Sequence, residues 1–428
     1  MVHSPTVGGL QFNVDMLWEL AMFWPLKPCL IAGALLVLQS AWAWIDGLRF
    51  LRLIRRRQSA PRVDDAPFAT VVIPCKGLDA GFEAKVDGYL DQAYPSYQVV
   101  FVVATAEDSA YRRLEARLSK ANASGSASSC QNALVVAGLA EGRGEKVNNL
   151  LHGVKAANPA AKVLVFADID ATPSRVWLRS LVAPLADPQV TVSTGFRWYL
   201  PGEGLVSRLR AAWDTSIATM MGEHDHNFAW GGSMAIRTAD FHSLGIAERY
   251  WSSTVSDDYA VTRAVSDAKG KIAFVPACLL ASQEESSLRE FLRWSTRQII
   301  ITRVYAVHLW RLGLAAYTFY CAVFVMGIIT LASPGIGTIP RLFVAATLLV
   351  ILLLGAAKGY IRSIVTRELF GTTAGNHDSC YWQLSPLVPW IMLGNFVVAG
   401  FKRRIEWRGT EYELVSRDEV RVIRRGSG

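Results

Sequence analysis

Three runs of this chain carry almost no charge: Pro28 to Ile45, Leu312 to Ser333 and Leu342 to Ala357. A hydrocarbon core about 30 Å thick is crossed by roughly 20 helical residues. No water reaches the backbone there, so an apolar run must bond to itself as a helix. The runs therefore predict one amino-terminal transmembrane helix and a transmembrane hairpin, whose halves are separated by the Pro334 to Arg341 turn. The first apolar region begins near Leu17, broken by Glu19 and Lys27, and is followed by Arg49, Arg52, Arg55, Arg56 and Arg57. A cleaved signal has its basic residues ahead of the apolar region, so this one reads as an anchor, with the chain after it cytoplasmic. Composition agrees: of 428 residues 51% are hydrophobic and 19% charged, with a mean hydropathy of +0.24, which argues against a wholly soluble chain. The 44 Lys and Arg exceed the 36 Asp and Glu, and the excess lies beside the apolar runs. That placement suits a lipid bilayer surface and not a nucleic-acid face. Six scattered cysteines with no CxxC pair support neither a disulfide framework nor a zinc site.

From Phe68 to about Ala281, short β-branched runs alternate with helical stretches, which predicts an α/β domain. Strands are expected at Ala69 to Ile73, Gln98 to Val103, Ala133 to Val136, Lys162 to Ala167, Val190 to Phe196 and Ile272 to Val275. Pro61 to Pro67 reads as a linker and Ser119 to Gln131 as a flexible surface loop. Leu288 to Trp310 interleaves Arg289, Arg293, Arg297 and Arg303 with aromatic and aliphatic residues, a pattern for a helix at the membrane interface. A third apolar run, Leu384 to Phe401, contains Pro386, Pro389 and Asn395 and has basic residues on both flanks, so it is expected to be re-entrant or interfacial, with a full crossing as the alternative. The resulting order is an anchor region over 1–57, the α/β domain over 58–287, a basic helix over 288–311, the hairpin over 312–361, and over 362–428 the third apolar segment with a basic tail.

Val163 to Ala167 runs as a buried strand straight into Asp168 and Asp170. Strand ends are where α/β sheets place ligands, and two carboxylates at that spacing can hold a hard divalent cation, Mg²⁺ or Mn²⁺, against a diphosphate. The plainer alternative is one solvated aspartate and one helix cap. Asp257 and Asp258 precede a helical stretch, where one can serve as the cap. Neighbouring carboxylates tend to divergent pKa values, which suits a general base acting on an alcohol. Gly142 to Asn149 places Lys146 at a helix start, either as an anion site or as a solvated lysine, and no Walker loop is present. His224 and His226 lack the further ligands that zinc requires.

In chain order these features resemble the family-2 glycosyltransferases, and within them the ceramide glucosyltransferases and their bacterial relatives. The resemblance is carried by Val72-Ile-Pro-Cys-Lys-Gly-Leu-Asp79, Leu90-Asp-Gln-Ala-Tyr-Pro-Ser-Tyr97, Lys146-Val-Asn-Asn149, the Asp168 turn and Ser256-Asp-Asp-Tyr259. It implies a GT-A (Rossmann-like) cytosolic domain with transmembrane helices at both ends, an inverting hexose transfer from a nucleotide sugar donor, with UDP as carrier, and a membrane lipid acceptor, ceramide first. The protein would then be integral to a bacterial inner membrane, with its catalytic domain cytoplasmic. By the same resemblance, Pro74, Lys76, Gly77 and Asp79 border the nucleotide, Glu107 or Asp108 contacts the uridine, and Lys146 meets the donor phosphates. Asp168 and Asp170 hold the metal, and Asp168 also meets the diphosphate. Asp258 is the base with Asp257 beside it, and Trp230, Gly231 and Gly232 face the acceptor. The family's (Q/R)xxRW signature aligns with Phe291 to Gln298, where Arg297 is expected to neutralise the leaving diphosphate, with Arg293 second. Other acceptors (a hopanoid or glycerolipid), a polysaccharide synthase and a non-catalytic membrane scaffold are the alternatives.

Overall fold

The computed structural model describes residues 26–56, 66–123, 129–371 and 378–426. The apolar stretch before Leu26, Arg57, the expected linker as far as Asp65 and the centre of the expected 119–131 loop lie outside these residues.

The α/β pattern folds as read. The chain runs α1 (Leu26–Arg56), β1 (Ala69–Cys75), α2 (Phe82–Leu90), β2 (Tyr97–Val103), α3 (Ser109–Ala123), β3 (Cys130–Val136), α4 (Glu145–Lys155), β4 (Val163–Ala167), α5 (Trp177–Val182), β5 (Val190–Tyr199), α6 (Leu205–Ala218), β6 (Ser233–Arg237), α7 (Thr238–Ser243), α8 (Asp257–Asp267) and β7 (Lys271–Ser282). The strands form one seven-stranded sheet in the order β3-β2-β1-β4-β6-β5-β7, parallel except where β6 pairs with β4 and β5. Every residue of β4 is buried, because helices cover both faces of the sheet. Val71, Ile73, Val163 and Val165 pack toward α3 and α5, while Val72, Leu164 and Phe166 pack toward α4 and α8. Residues alternate across a pleated strand, so one buried run feeds two cores.

Two expectations need correction here. Strand β6 had no counterpart in the sequence reading, since five residues behind Gly231-Gly232 look like loop until β4 and β5 offer them partners. Positions 119–123 continue helix α3, and Cys130 and Gln131 already belong to β3, so the expected loop is shorter than 119–131.

The chain continues through α9 (Leu288–Tyr305), α10 (Val307–Ala332), α11 (Thr338–Phe370), α12 (Cys380–Gln383) and α13 (Val388–Phe401). Helices α1, α10 and α11 are long and apolar enough to cross a membrane. Helix α1, at 31 residues, is about 46 Å long, more than a bilayer core requires. Its last turns dock on the sheet: Phe50 stacks with Trp198 and Phe274 at ring distances of 6.2 and 6.0 Å. Small residues set the helix spacing, since a Cβ on Gly33 would stand 2.7 Å from Thr347. Helix α13 has 14 residues, about 21 Å, too short to cross alone. Its Asn395 accepts hydrogen bonds from Ser295 and Thr296 of α9.

The expected basic tail is instead a folded meander of β8 (Arg404–Trp407), β9 (Thr410–Ser416) and β10 (Glu419–Arg425). It rests on the α/β domain through Arg408–Asp79 and Arg263–Asp418 ion pairs, each 2.8 Å, and a hydrogen bond from Arg425 to the Ala140 carbonyl. The many arginines hid an alternation, Ile405, Tyr412, Leu414 and Val420 all being buried.

Candidate active site

Strands β1 and β4 are parallel neighbours at the point where the order of the sheet reverses, the place where α/β sheets open a ligand crevice. Asp168 and Asp170 leave β4 there. Facing them, α4 starts at Glu145 after Gly144, whose N–H donates to the Thr254 carbonyl at 2.8 Å. This contact carries Lys146 between two acidic segments. Its Nζ lies 2.8 Å from Asp168 Oδ1 and 3.2 Å from Asp257 Oδ2. Gly231 leaves the necessary room, because a Cβ there would stand 2.0 Å from Asp257 Oδ2 and 2.8 Å from Lys146 Nζ. On the other side Arg197 of β5 sits 2.6 Å from Asp170 Oδ1 and 3.5 Å from Asp168 Oδ2.

Burial works against the Lys146 ammonium, yet Asp168, Asp257 and Asp258 hold its pKa above the usual lysine value. Burial likewise pushes the Asp170 carboxyl up, but Arg197 and Arg408 outweigh it and the pKa falls below the usual value. Asp257 is 1% exposed, and burial raises it to about 7 against the pull of Lys146.

The crevice has two lobes that share Asp168, Asp170, Trp407 and Arg408. The smaller, about 660 Å³, is bounded by Pro74, Lys76, Lys146, Asn149 and, from the meander, Tyr412. The larger, about 1250 Å³, reaches α9 and holds Asp258, Trp230, Arg297 and Asp214 in its walls. Ser256, and neither aspartate, caps α8, accepting a hydrogen bond from the Tyr259 N–H. Asp258 Oδ1 accepts from the Ser256 hydroxyl and from the same N–H at 2.8 Å, and Oδ2 has no hydrogen-bond partner among the described residues. One carboxylate oxygen of this residue in the wall of the larger lobe is thus anchored and the other is not.

The remaining sequence candidates divide. Lys76 pairs with Glu145 at 2.9 Å, and Asp79 with Arg408. Gly77 takes a positive φ of 66°, and its N–H donates to Asp108 Oδ1 at 2.9 Å. Asp108 also accepts from the Ala110 N–H, so it ties the loops together and lines neither lobe. Glu107 is exposed and lines neither lobe as well. Trp230 lies under the Arg197 guanidinium, 5.3 Å from its ring centre. Gly231 and Gly232 are behind the lobes: the Gly232 carbonyl accepts from the Asp168 N–H at 3.3 Å, and a Cβ on Gly232 would stand 2.2 Å from the Trp230 ring. Arg297 packs over Trp407 and donates to the Glu406 carbonyl at 3.0 Å, and burial lowers its pKa to about 10. Arg293 pairs with Glu406 at the surface. His224 and His226 are exposed in a turn, and among the described residues no three His, Cys, Asp or Glu side chains group as metal ligands.

Sequence reasoning missed Arg197, Arg210, Asp214, Glu284, Trp407, Arg408 and Tyr412. A charge inside the apolar run Gly195-Phe-Arg197-Trp-Tyr was a usable signal for the first. Nothing local links Arg408 to Asp79, 329 positions away.

The chain is similar to a mannosyltransferase of Pyrobaculum calidifontis solved with GDP-Man and Mn²⁺, at 16% identity and a TM-score of 0.46, covering 87% of this chain and 99% of that one. It is also similar to glucosyl-3-phosphoglycerate synthase of Mycobacterium tuberculosis solved with Mn²⁺ and UDP-glucose, at 16% identity and a TM-score of 0.35, covering 58% of this chain and 82% of that one. The chain matches no curated protein. The glycosyl transferase family 21 profile matches residues 26–420, from the first turn of α1 through both lobes to the start of β10. With the sheet, the crevice, the three long apolar helices and the first two strands of the meander all inside that one match, the chain belongs to glycosyl transferase family 21.

Proposed function

We propose that this glycosyltransferase moves a hexose from a nucleotide sugar, carried on UDP, to a hydroxyl of a membrane lipid, with ceramide as the first candidate and inversion at the anomeric carbon. The observation that carries the reading is Asp258 Oδ2, unbonded among the described residues, in a lobe that shares Asp168 and Asp170 with the smaller lobe, which Lys76, Lys146 and Arg408 also line. The smaller lobe takes the nucleotide diphosphate. Asp258 accepts the proton of the acceptor hydroxyl, the oxygen bonds to the anomeric carbon, and the bond from that carbon to the diphosphate breaks, its electron pair leaving with the diphosphate. Lys146, Arg197 and Arg408 surround the position where that charge develops. Asp168 and Asp170 are two hard oxygen donors without a third carboxylate, His or Cys ligand among the described residues, the set that suits a cation arriving with substrate phosphates. A divalent ion held there supplies neutralisation of the leaving diphosphate. The test is transfer of labelled hexose into the lipid fraction with Mn²⁺ or Mg²⁺ present, and its loss by at least about tenfold in excess chelator. Full activity in chelator removes the metal from this reading, and no lipid label removes the reading.

The acceptor's route follows from topology. With the α/β domain in the cytoplasm, α10 leaves and α11 returns. The meander packs on the domain, so the segment holding α13 enters and leaves on the domain's side, as a re-entrant piece walling the lipid entrance. The six native cysteines are buried, so a cysteine introduced at exposed Ser416 reports on its own. It is expected to stay unmodified by an impermeant thiol reagent in sealed cells and to react after permeabilisation. Ready labelling in sealed cells overturns the topology.

A further inference from the structure

A basic groove opens where α9 meets the turn that joins α13 to β8. About 690 Å³ in volume, it is lined by Arg289, Arg293 and Arg297 of α9 and by Lys402 and Arg404 after α13, with Glu406 as its one carboxylate. The three arginines recur every four residues, so they share one face of the helix. Glu406 is taken by Arg293 at 3.3 Å, and Arg404 lies 3.6 Å from Glu413, which is outside the groove. Arg289 and Lys402 are exposed, and their side chains have no hydrogen-bond or ion-pair partner among the described residues. Cations gathered around one small groove raise its potential, and an anion that enters is their natural counter-charge. The rim, in contrast, is apolar. Leu288 and Leu292 of α9 are 53% and 40% exposed, and Phe401, the last residue of α13, is 89% exposed beside Lys402. Arg303 donates to the Gly400 and Lys402 carbonyls at 3.3 and 2.8 Å, which ties this end of α13 to α9. A water-soluble anion would leave the apolar rim in water. An anionic phospholipid places its phosphate among the arginines and its chains on the rim.

We infer that this groove binds the headgroup of an anionic phospholipid, at a lipid site separate from the acceptor lobe. Arg289, Lys402 and Arg404 bond the phosphate oxygens, and the acyl chains lie along Leu292 and Phe401. Arg297 lines both the groove and the larger lobe, so a headgroup held here keeps that lobe at the level of the lipid headgroups. The inference rests on the bilayer placement of α9 and α13 in the proposed function, and not on the donor or acceptor named there.

The test uses full-length protein in phosphatidylcholine vesicles doped with a trace of photoactivatable phosphatidylglycerol or, in parallel, photoactivatable phosphatidylcholine with the same chains. The two lipids share the phosphodiester and differ in net charge. Cross-links in peptides covering 288–305 and 401–407 are expected to favour phosphatidylglycerol by about fivefold or more. The double variant Arg289→Gln, Lys402→Gln, altered only at exposed side chains without partners, is expected to lose most of that preference. Arg421→Gln, Arg424→Gln removes the same charge from exposed positions on β10 outside the groove and is expected to keep it. A wild-type preference within about twofold of unity overturns the inference, and so does an equal loss in both double variants, which would mean diffuse attraction to a charged bilayer. Loss of the preference in excess inorganic phosphate at constant ionic strength also overturns it, by assigning the groove to a free anion. Cross-links to these peptides from neither lipid would remove the bilayer placement of α9 and α13, and this inference with it.

Discussion

Asp258→Asn is expected to lower turnover by about 10² to 10⁴-fold while donor affinity stays within about twofold of wild type. The substitution keeps size and shape, and the Ser256 and Tyr259 bonds that anchor Oδ1 both have a counterpart on an amide oxygen. What disappears is the group proposed to take the proton of the acceptor hydroxyl. Ser256 still caps α8, so the helix is expected to hold its place. Donor titration beside single-turnover transfer checks the split between binding and chemistry. A collapse of donor affinity with the same loss of turnover would place Asp258 in the nucleotide site and remove its role as base.

Lys146→Met is expected to cost both stability and activity, for separable reasons. The ammonium is the ion-pair partner of Asp257, whose side chain is 2% exposed, and it also holds Asp168. Removing one member of a buried pair leaves an uncompensated charge and typically costs about 3–5 kcal/mol. On the proposed reading the same change also removes a cation from beside the leaving diphosphate, an expected loss of about 10² to 10³-fold in kcat. The double variant Lys146→Met, Asp257→Asn tells the two apart. With neither charge left, most of the stability is expected to return, since replacing both partners avoids the unpaired group. Transfer is expected to stay low. Thermal unfolding and transfer rates on the two proteins check this, and recovery of transfer in the double variant would mean that Lys146 acts only through the fold.

The chemistry legible in the sequence was the chemistry carried by local pattern. Val163 to Ala167 had to be a buried strand, because five consecutive apolar residues followed by Asp-Ile-Asp fit little else at a sheet edge. That pattern put Asp168 and Asp170 in the crevice, and the helix start at Glu145 put Lys146 beside them. The hairpin was legible for the same reason: a backbone that cannot bond to water must bond within its own helix.

Residues whose place depends on another, distant segment were not legible. The meander looked like a charged tail because its arginines dominate its composition, yet Arg408 reaches Asp79 across 329 positions and Tyr412 closes the smaller lobe. Asp257 and Asp258 are adjacent and chemically identical, and only the fold separates them, one buried on Lys146 and the other open to the larger lobe. Asp214 is one helical aspartate among others until α6 packs with its Arg210 between Tyr199 and Trp294 and leaves one Asp214 carboxyl oxygen without a partner among the described residues. Helical and strand periods, apolar length and motif spacing are properties of a few neighbouring residues, and the sequence by itself determined what rests on them. Pairing, burial and charge balance are properties of segments that meet only after folding, so the tertiary structure alone decided which carboxylate is free, which cation is engaged and what closes the crevice.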